Sequence, residues 1–332
     1  MIPIIEYAKL AGHVYDISRN PYHGMHINPI KEGKGIDHGW TIVTDVDPYV
    51  QPANHFFAAM YLKFSNGRPT DAVTAFRGTM SNDINNLLED YNTWFSDAAD
   101  NGKPDEMPTY FPQAQGFAYQ CRTYLIEHFA AKVGPMNLCY TGHSLGGALA
   151  KLVTLDSFPG KAIAFNAPGC GHLPHIMAEL TKDYVTDFIF NINARYGIIN
   201  KIGETMGNLF FIDVPNDEPA AKIVLEKLLA EQAKDEKKKL TENSTERTAR
   251  TLDEYANAAS VLKTTPEYRE AYVTCERELD KQHWSLTRSL KSCHATAEMQ
   301  AFGDVIIAQH SIENMIHALT MPENESVGYR ME

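Results

Sequence analysis

The feature that most constrains this chain is the run Gly142-His143-Ser144-Leu145-Gly146-Gly147-Ala148, set between an apolar stretch, Asn137–Thr141, and a helix-forming one from about Gly146 to Leu155. G-x-S-x-G in that context describes a sharp strand-to-helix turn with a serine at its apex. Strand and helix can close on such a turn only if the residues two before and two after the serine are small, as Gly142 and Gly146 are. The turn also sets Ser144 at the positive end of the following helix, whose amides can stabilise a developing negative charge.

Around this elbow, strand-like and helix-like segments alternate. Ile4, Ala8, Ala11 and Val14 recur at helical spacing, which predicts a short amphipathic helix before Asp16. Strands are expected around Trp40–Val46, His55–Phe64 with the turn Asn66-Gly67 beyond, and Ala72–Phe76. A helix from about Gln113 to Lys132, the strand Asn137–Thr141, the helix after the elbow, and strands at Ala162–Phe165 and Val185–Ile192 complete the pattern. Strands separated by helices of this length predict an α/β core with a mainly parallel sheet covered on both faces.

From Asn216 the composition shifts. Asp217–Glu254 holds eight Lys or Arg and ten Asp or Glu and no aromatic residue, the pattern of a solvated segment. Leu252, Tyr255, Ala259 and Leu262, then Tyr268, Tyr272, Cys275 and Leu279, return to helical spacing. The economical organisation is a single domain over 1–332 with a helical insertion at 216–301, serving as a lid or a partner-binding subdomain.

Charge and composition narrow the function classes. At 332 residues and 44% hydrophobic, the chain can bury a sizeable core. Thirty Lys and Arg against forty-two Asp and Glu leave a net charge of -12, which repels nucleic acid at long range, so no nucleic-acid partner is expected. No stretch approaches the roughly 20 apolar residues that span a bilayer, and any membrane contact would be peripheral. The first residues carry no basic region ahead of their apolar run and do not read as a signal peptide. Five widely spread cysteines, with no CxxC pair, read as free thiols in a reducing compartment. The thirteen histidines lack metal-ligand spacing, and neither metal nor cofactor is expected.

Phe76-Arg77-Gly78-Thr79, followed by Gly142–Gly147 and then by Ala164-Phe-Asn-Ala-Pro168, resembles the class 3 lipase group of α/β-hydrolases, including its bacterial intracellular and effector-type members. The resemblance implies an α/β-hydrolase fold in which Thr79, by amide or hydroxyl, joins the Leu145 amide as oxyanion hole, and a lid helix at Asn82–Phe95. The serine needs a histidine, and the order in this fold is nucleophile, acid, histidine. The candidates are His283, His294, His310 and His317. His310 is preferred, because it follows the apolar run Asp304–Ala308 at the opening of a helix, a junction like that of the family's catalytic histidine. His317 reads as a helix-surface histidine.

The acid is where the chain departs from the family. Gly197 stands where the aspartate is expected, and no carboxylate lies between Asp187 and Glu204. Asp213 is the nearest aspartate downstream; Asn193 or Asn200 could orient the imidazole without charge. The leading expectation is a serine esterase that cleaves acyl esters of lipids, as a lipase or phospholipase, through an acyl-enzyme. A second reading is a degenerate hydrolase whose 216–301 segment binds a protein. A third is a thioesterase or small-ester hydrolase. The expected location is the cytoplasm, or export without a cleavable signal as for an effector.

Overall fold

A computed structural model describes residues 2–18, 40–43, 56–66, 68–79, 110–129, 138–155, 160–170, 187–201, 205–215, 218–232, 262–263, 269–270, 272–273, 301, 304–324 and 327. The lid helix expected at Asn82–Phe95, the histidines His283 and His294, and most of 216–301 lie outside the described residues.

The elements run α1 (Ile4–Ser18), β1 (Trp40–Ile42), β2 (Ala58–Ser65), β3 (Arg68–Phe76), α2 (Phe111–Phe129), β4 (Leu138–His143), α3 (Leu145–Leu155), β5 (Lys161–Phe165), β6 (Ile189–Ala194), β7 (Asn208–Ile212), α4 (Glu218–Gln232) and α5 (Ile312–Ala318). The strands form one seven-stranded sheet in the order β1-β2-β3-β4-β5-β6-β7. β1, β2 and β3 pair antiparallel, and β3 through β7 pair parallel. The β2–β3 turn places Asn66 at φ 52, a left-handed position that asparagine tolerates. β3 begins at Arg68, ahead of the expected Ala72, because Arg68, Pro69 and Asp71 pair with the end of β2, around an irregularity that leaves Thr70 out of the register.

Alternation along the strands divides the core in two. Ala72, Phe76 and Tyr140 point to the face covered by α2 and α3, through Phe117, Cys121, Leu149 and Leu152. Val73, Ala75 and Cys139 point to the opposite face, covered by Leu10, Ala11 and Val14 of α1 and by Ile312 and Met315 of α5. The helical spacing at Ile4, Ala8, Ala11 and Val14 is this buried stripe. Full burial of a side chain such as Leu10 or Val14 contributes about 2 kcal/mol. α1 packs on α5 at Gly12, where a Cβ would make ordinary van der Waals contact with Ile316 Cδ1 at 3.4 Å. The apolar run 304–308, expected to lead into a helix, is itself helical; the turns continue through His310, and Ser311 caps α5.

Two buried charges fix connections between elements. Glu6 on α1 accepts hydrogen bonds from Trp40 Nε1 and Lys63 Nζ, both at 2.8 Å, which ties the first helix to the antiparallel edge. Lys151 on α3, wholly buried, donates to the Pro168 carbonyl at 2.6 Å and anchors the turn after β5. Among the described residues no helix is long and apolar enough to cross a membrane. Lys63→Ala leaves the buried Glu6 carboxylate with one donor fewer. It is expected to cost about 2 kcal/mol of unfolding free energy, read by urea denaturation at pH 7, with the fold unchanged.

Candidate active site

β4 runs directly into α3, and the residue between them, Ser144, sits at φ 60. A non-glycine residue in the left-handed region stores strain that the surrounding packing must hold. The packing does so through small residues. A Cβ on Gly142 would run into the backbone of Gly146, and one on Gly146 into the carbonyl of Phe76 at the end of β3. Ser144 N–H donates to the Phe165 carbonyl at 2.9 Å, and its own carbonyl accepts from Gly147 and Ala148 in the first turn of α3. Ser144 is thereby held at the C-terminal edge of the sheet with 1% of its surface exposed.

The loop after β3 lies against this elbow. A Cβ on Gly78 would stand 3.1 Å from Ser144 Cβ, and would also strike the Tyr15 hydroxyl and the His143 carbonyl. Next along, Thr79 Oγ1 is buried with no hydrogen-bond partner among the described residues. Leu145 is the first residue of α3, so its amide opens the helix N-terminus beside Ser144. The residues expected to supply oxyanion donors thus follow from two different elements, the loop after β3 and the start of α3.

His310, at the end of helical residues 304–310, packs its ring against His143 with centroids 4.6 Å apart. Its carbonyl accepts from His143 Nε2 at 2.5 Å and from Asn166 Nδ2 at 3.4 Å. Its own Nε2 is buried and has no hydrogen-bond partner among the described residues. Burial, and then the neighbouring His143, hold the His310 pKa well below the ordinary histidine range. Burial also pushes His143 down to about 4, although the His310 carbonyl and the Glu313 carboxylate favour its charged form. Both rings are therefore neutral at pH 7.

His143 Nε2 faces a carbonyl, so it carries the proton, and Nδ1 is an acceptor. Tyr15 on α1 lies 3.1 Å from that Nδ1 and accepts from the Gly78 amide at 3.0 Å. Burial raises the Tyr15 pKa, which keeps the phenol protonated.

The region expected to supply the acid is built from amides. Asn166, at φ 44, accepts from the Ala194 amide at 2.7 Å and from Asn200 Nδ2 at 3.1 Å, and donates to the Gln309 carbonyl at 2.8 Å. Asn200 Nδ2 also donates to the Ala194 carbonyl. A Cβ at Gly197 would stand 2.5 Å from Asn200 Nδ2, so a side chain there would require Asn200 to move. The Oδ1 atoms of Asn193 and Asn200 are buried without hydrogen-bond partners among the described residues. Asp213, the candidate acid, turns to Arg195, whose Nε and Nη2 approach its two carboxylate oxygens. Its backbone is held on both sides by Asn324. Among the described residues the Asp213 carboxylate is thus paired with a guanidinium, both side chains being about half exposed. His317 is exposed on α5, as expected of a helix-surface histidine.

Three contributors were not foreseen from sequence. His143 and Asn166 lie inside motifs that were singled out, but their side-chain roles depend on where His310 returns. Tyr15 is one position past the buried stripe of α1 and carries no local signal. Among the described residues no three His, Cys, Asp or Glu side chains are grouped to hold a metal ion.

Because the folded state keeps His143 neutral while an unfolded chain protonates it near pH 6.5, the unfolded state binds more protons between the two values. Stability is expected to fall as pH drops from 6.5 toward 4, with His143 alone accounting for roughly 3 kcal/mol. Urea titrations across this range should show a shallower slope for His143→Gln than for the parent.

Residues 73–196 match the class 3 lipase family, a span that holds both the Phe76–Thr79 loop and the elbow and ends before Asp213 and His310. No curated protein matches the chain. Among solved structures it is similar to M37 lipase, at 20% identity and a TM-score of 0.38 over 59% of this chain and 69% of that one. It is also similar to lipase II from Rhizopus niveus, at 13% identity and 0.33 over 59% and 72%. Carboxyl esterase 2 from the mycorrhizal fungus Tuber melanosporum gives 14% and 0.30 over 75% and 97%.

Proposed function

From an α/β-hydrolase fold whose residues 73–196 match the class 3 lipases, we propose that the chain is a carboxylic ester hydrolase that cleaves acyl esters of lipids through Ser144. The observation that carries this reading is the strained elbow itself, Ser144 at φ 60 between the Gly78–Thr79 loop and the N-terminus of α3, with the neutral His310 ring packed on the adjacent His143.

In this reading Ser144 Oγ attacks the ester carbonyl carbon while His310 takes its proton. The tetrahedral oxyanion is held by the Leu145 amide and by Thr79, whose buried hydroxyl lacks another partner among the described residues. Collapse expels the alcohol, protonated by His310, and leaves the acyl group on Ser144. Water, deprotonated by the same histidine, then releases the acid and regenerates the serine. A base held neutral by burial is ready to accept a proton at pH 7. In this reading the group that would orient the ring is Asn193 or Asn200, whose Oδ1 atoms are buried without a partner among the described residues, since the Asp213 carboxylate is paired with Arg195.

The substrate range in this proposal comprises triacylglycerols, phospholipids and lysophospholipids. A buried nucleophile at 1% exposure requires an element to move before a lipid enters. The 216–301 segment is proposed as a helical insertion on a single domain, serving as lid or partner-binding surface. Its first helix, α4, buries Ala221, Val224, Leu225 and Leu228 and exposes Ile223 and Leu229.

Steady-state hydrolysis of p-nitrophenyl esters, with and without detergent micelles, tests the reading. Ser144→Ala is expected to abolish turnover, and His310→Gln to lower kcat by about four orders of magnitude. Asp213→Asn is expected to stay within about tenfold of the parent, in the range of a lost surface ion pair rather than of a lost triad acid. A fall for Asp213→Asn as large as that for His310→Gln would return the acid role to Asp213. Parent protein without Ser144-dependent turnover would favour the binding-module reading.

A further inference from the structure

We propose that Tyr15 is a positioning residue of this site: its hydroxyl sets the oxyanion loop at Gly78–Thr79 against the Ser144 elbow and, through His143, holds the backbone of His310. The inference rests on the serine-hydrolase reading above and adds to it a residue from α1, an element outside the 73–196 family span.

The donor directions in this chain of hydrogen bonds are fixed by elementary chemistry. The His310 carbonyl can only accept, so the proton on the His143 ring is on Nε2. A neutral ring with Nε2 protonated can only accept at Nδ1, so the Tyr15 hydroxyl donates there, at 3.1 Å; the alternative acceptor, the His143 carbonyl, is farther at 3.5 Å. With its one proton spent, the phenol oxygen offers a lone pair, and the Gly78 amide fills it at 3.0 Å. The path runs Gly78 N–H to Tyr15, Tyr15 O–H to His143 and His143 N–H to His310 without a group used twice as donor. It links the three parts whose relative positions decide acyl transfer: the oxyanion loop, the nucleophile's own turn and the base.

Geometry makes the phenol a spacer as well as a link. A Cβ on Gly78 would strike both the Tyr15 hydroxyl and the His143 carbonyl and would press on Ser144 Cβ. The loop therefore rests on Tyr15 at Gly78, the residue before Thr79. Tyr15 is in turn carried by α1, whose packing on α5 places it near the turn that bears His310. Removing the hydroxyl leaves the Gly78 amide and His143 Nδ1 without their partners and frees the His143 ring to rotate away from His310. Such a loss acts on the transition state, where oxyanion and imidazolium form, and hardly on ester binding.

The test is Tyr15→Phe in the full chain, assayed on p-nitrophenyl butyrate with kcat expressed per active site titrated by a fluorophosphonate. The proposal expects kcat to fall by about 10- to 100-fold with KM within about twofold. A purely structural role would lower the number of titratable sites and leave the rate per site unchanged, and that result overturns the proposal. Parent protein whose turnover does not depend on Ser144 overturns the proposal and the hydrolase reading together, whereas full kcat in Tyr15→Phe beside an active parent overturns the proposal alone. Should the phenylalanine variant not fold, ring 15N NMR of the parent decides. The proposal expects His143 at pH 7 protonated on Nε2 with Nδ1 as a hydrogen-bonded acceptor, and a proton on Nδ1 overturns it.

Discussion

The close approach of β3, β4 and α3 at two glycines is the constraint on which the rest of the site depends. Gly146 lies so near the Phe76 carbonyl, and Gly142 so near Gly146, that no side chain fits at either position. This contact forces the chain to reverse within one residue and leaves Ser144 in a left-handed conformation. It also brings the end of β3, with Gly78 and Thr79, to the same edge of the sheet. A single packing contact thus sets both the strained conformation of Ser144 and the position of the Gly78 loop beside it.

The second organising principle is that the site is neutral and polar rather than charged. His143 and His310 are kept unprotonated by burial, and the ends of β5 and β6 are joined by the amides of Asn166 and Asn200. Neutral donors and acceptors in a buried site avoid the desolvation cost of a fixed ion, and where they are paired, as at Asn166, they also fix geometry. The exposed ion pair of Asp213 with Arg195 sits outside that arrangement, near the surface where charges are cheap to hold.

Much of the fold was legible because its signals are local. The apolar spacing of α1, the alternation of β3 and β4, and the small residues around Ser144 each reflect a periodicity or a steric limit acting within a few positions. The extension of β3 back to Arg68 and the helical state of 304–310 were not, because each is decided by a neighbour distant in sequence. The site divides in the same way. Ser144, Thr79 and Leu145 lie in or beside short motifs, but Tyr15 is separated from His143 by 128 positions and from Gly78 by 63, and nothing nearby in the chain marks it. The absence of an aspartate at Gly197 was visible in the sequence; that a side chain there would meet the Asn200 amide is a tertiary fact.

The central claim is that this elbow carries an activated serine. Treating the full chain with a fluorophosphonate in micellar detergent, followed by intact mass and peptide mapping, addresses it most directly. The account predicts one phosphonyl adduct per chain, mapped to Ser144 and lost in Ser144→Ala. An unlabelled parent, or an adduct that persists in Ser144→Ala, would contradict it.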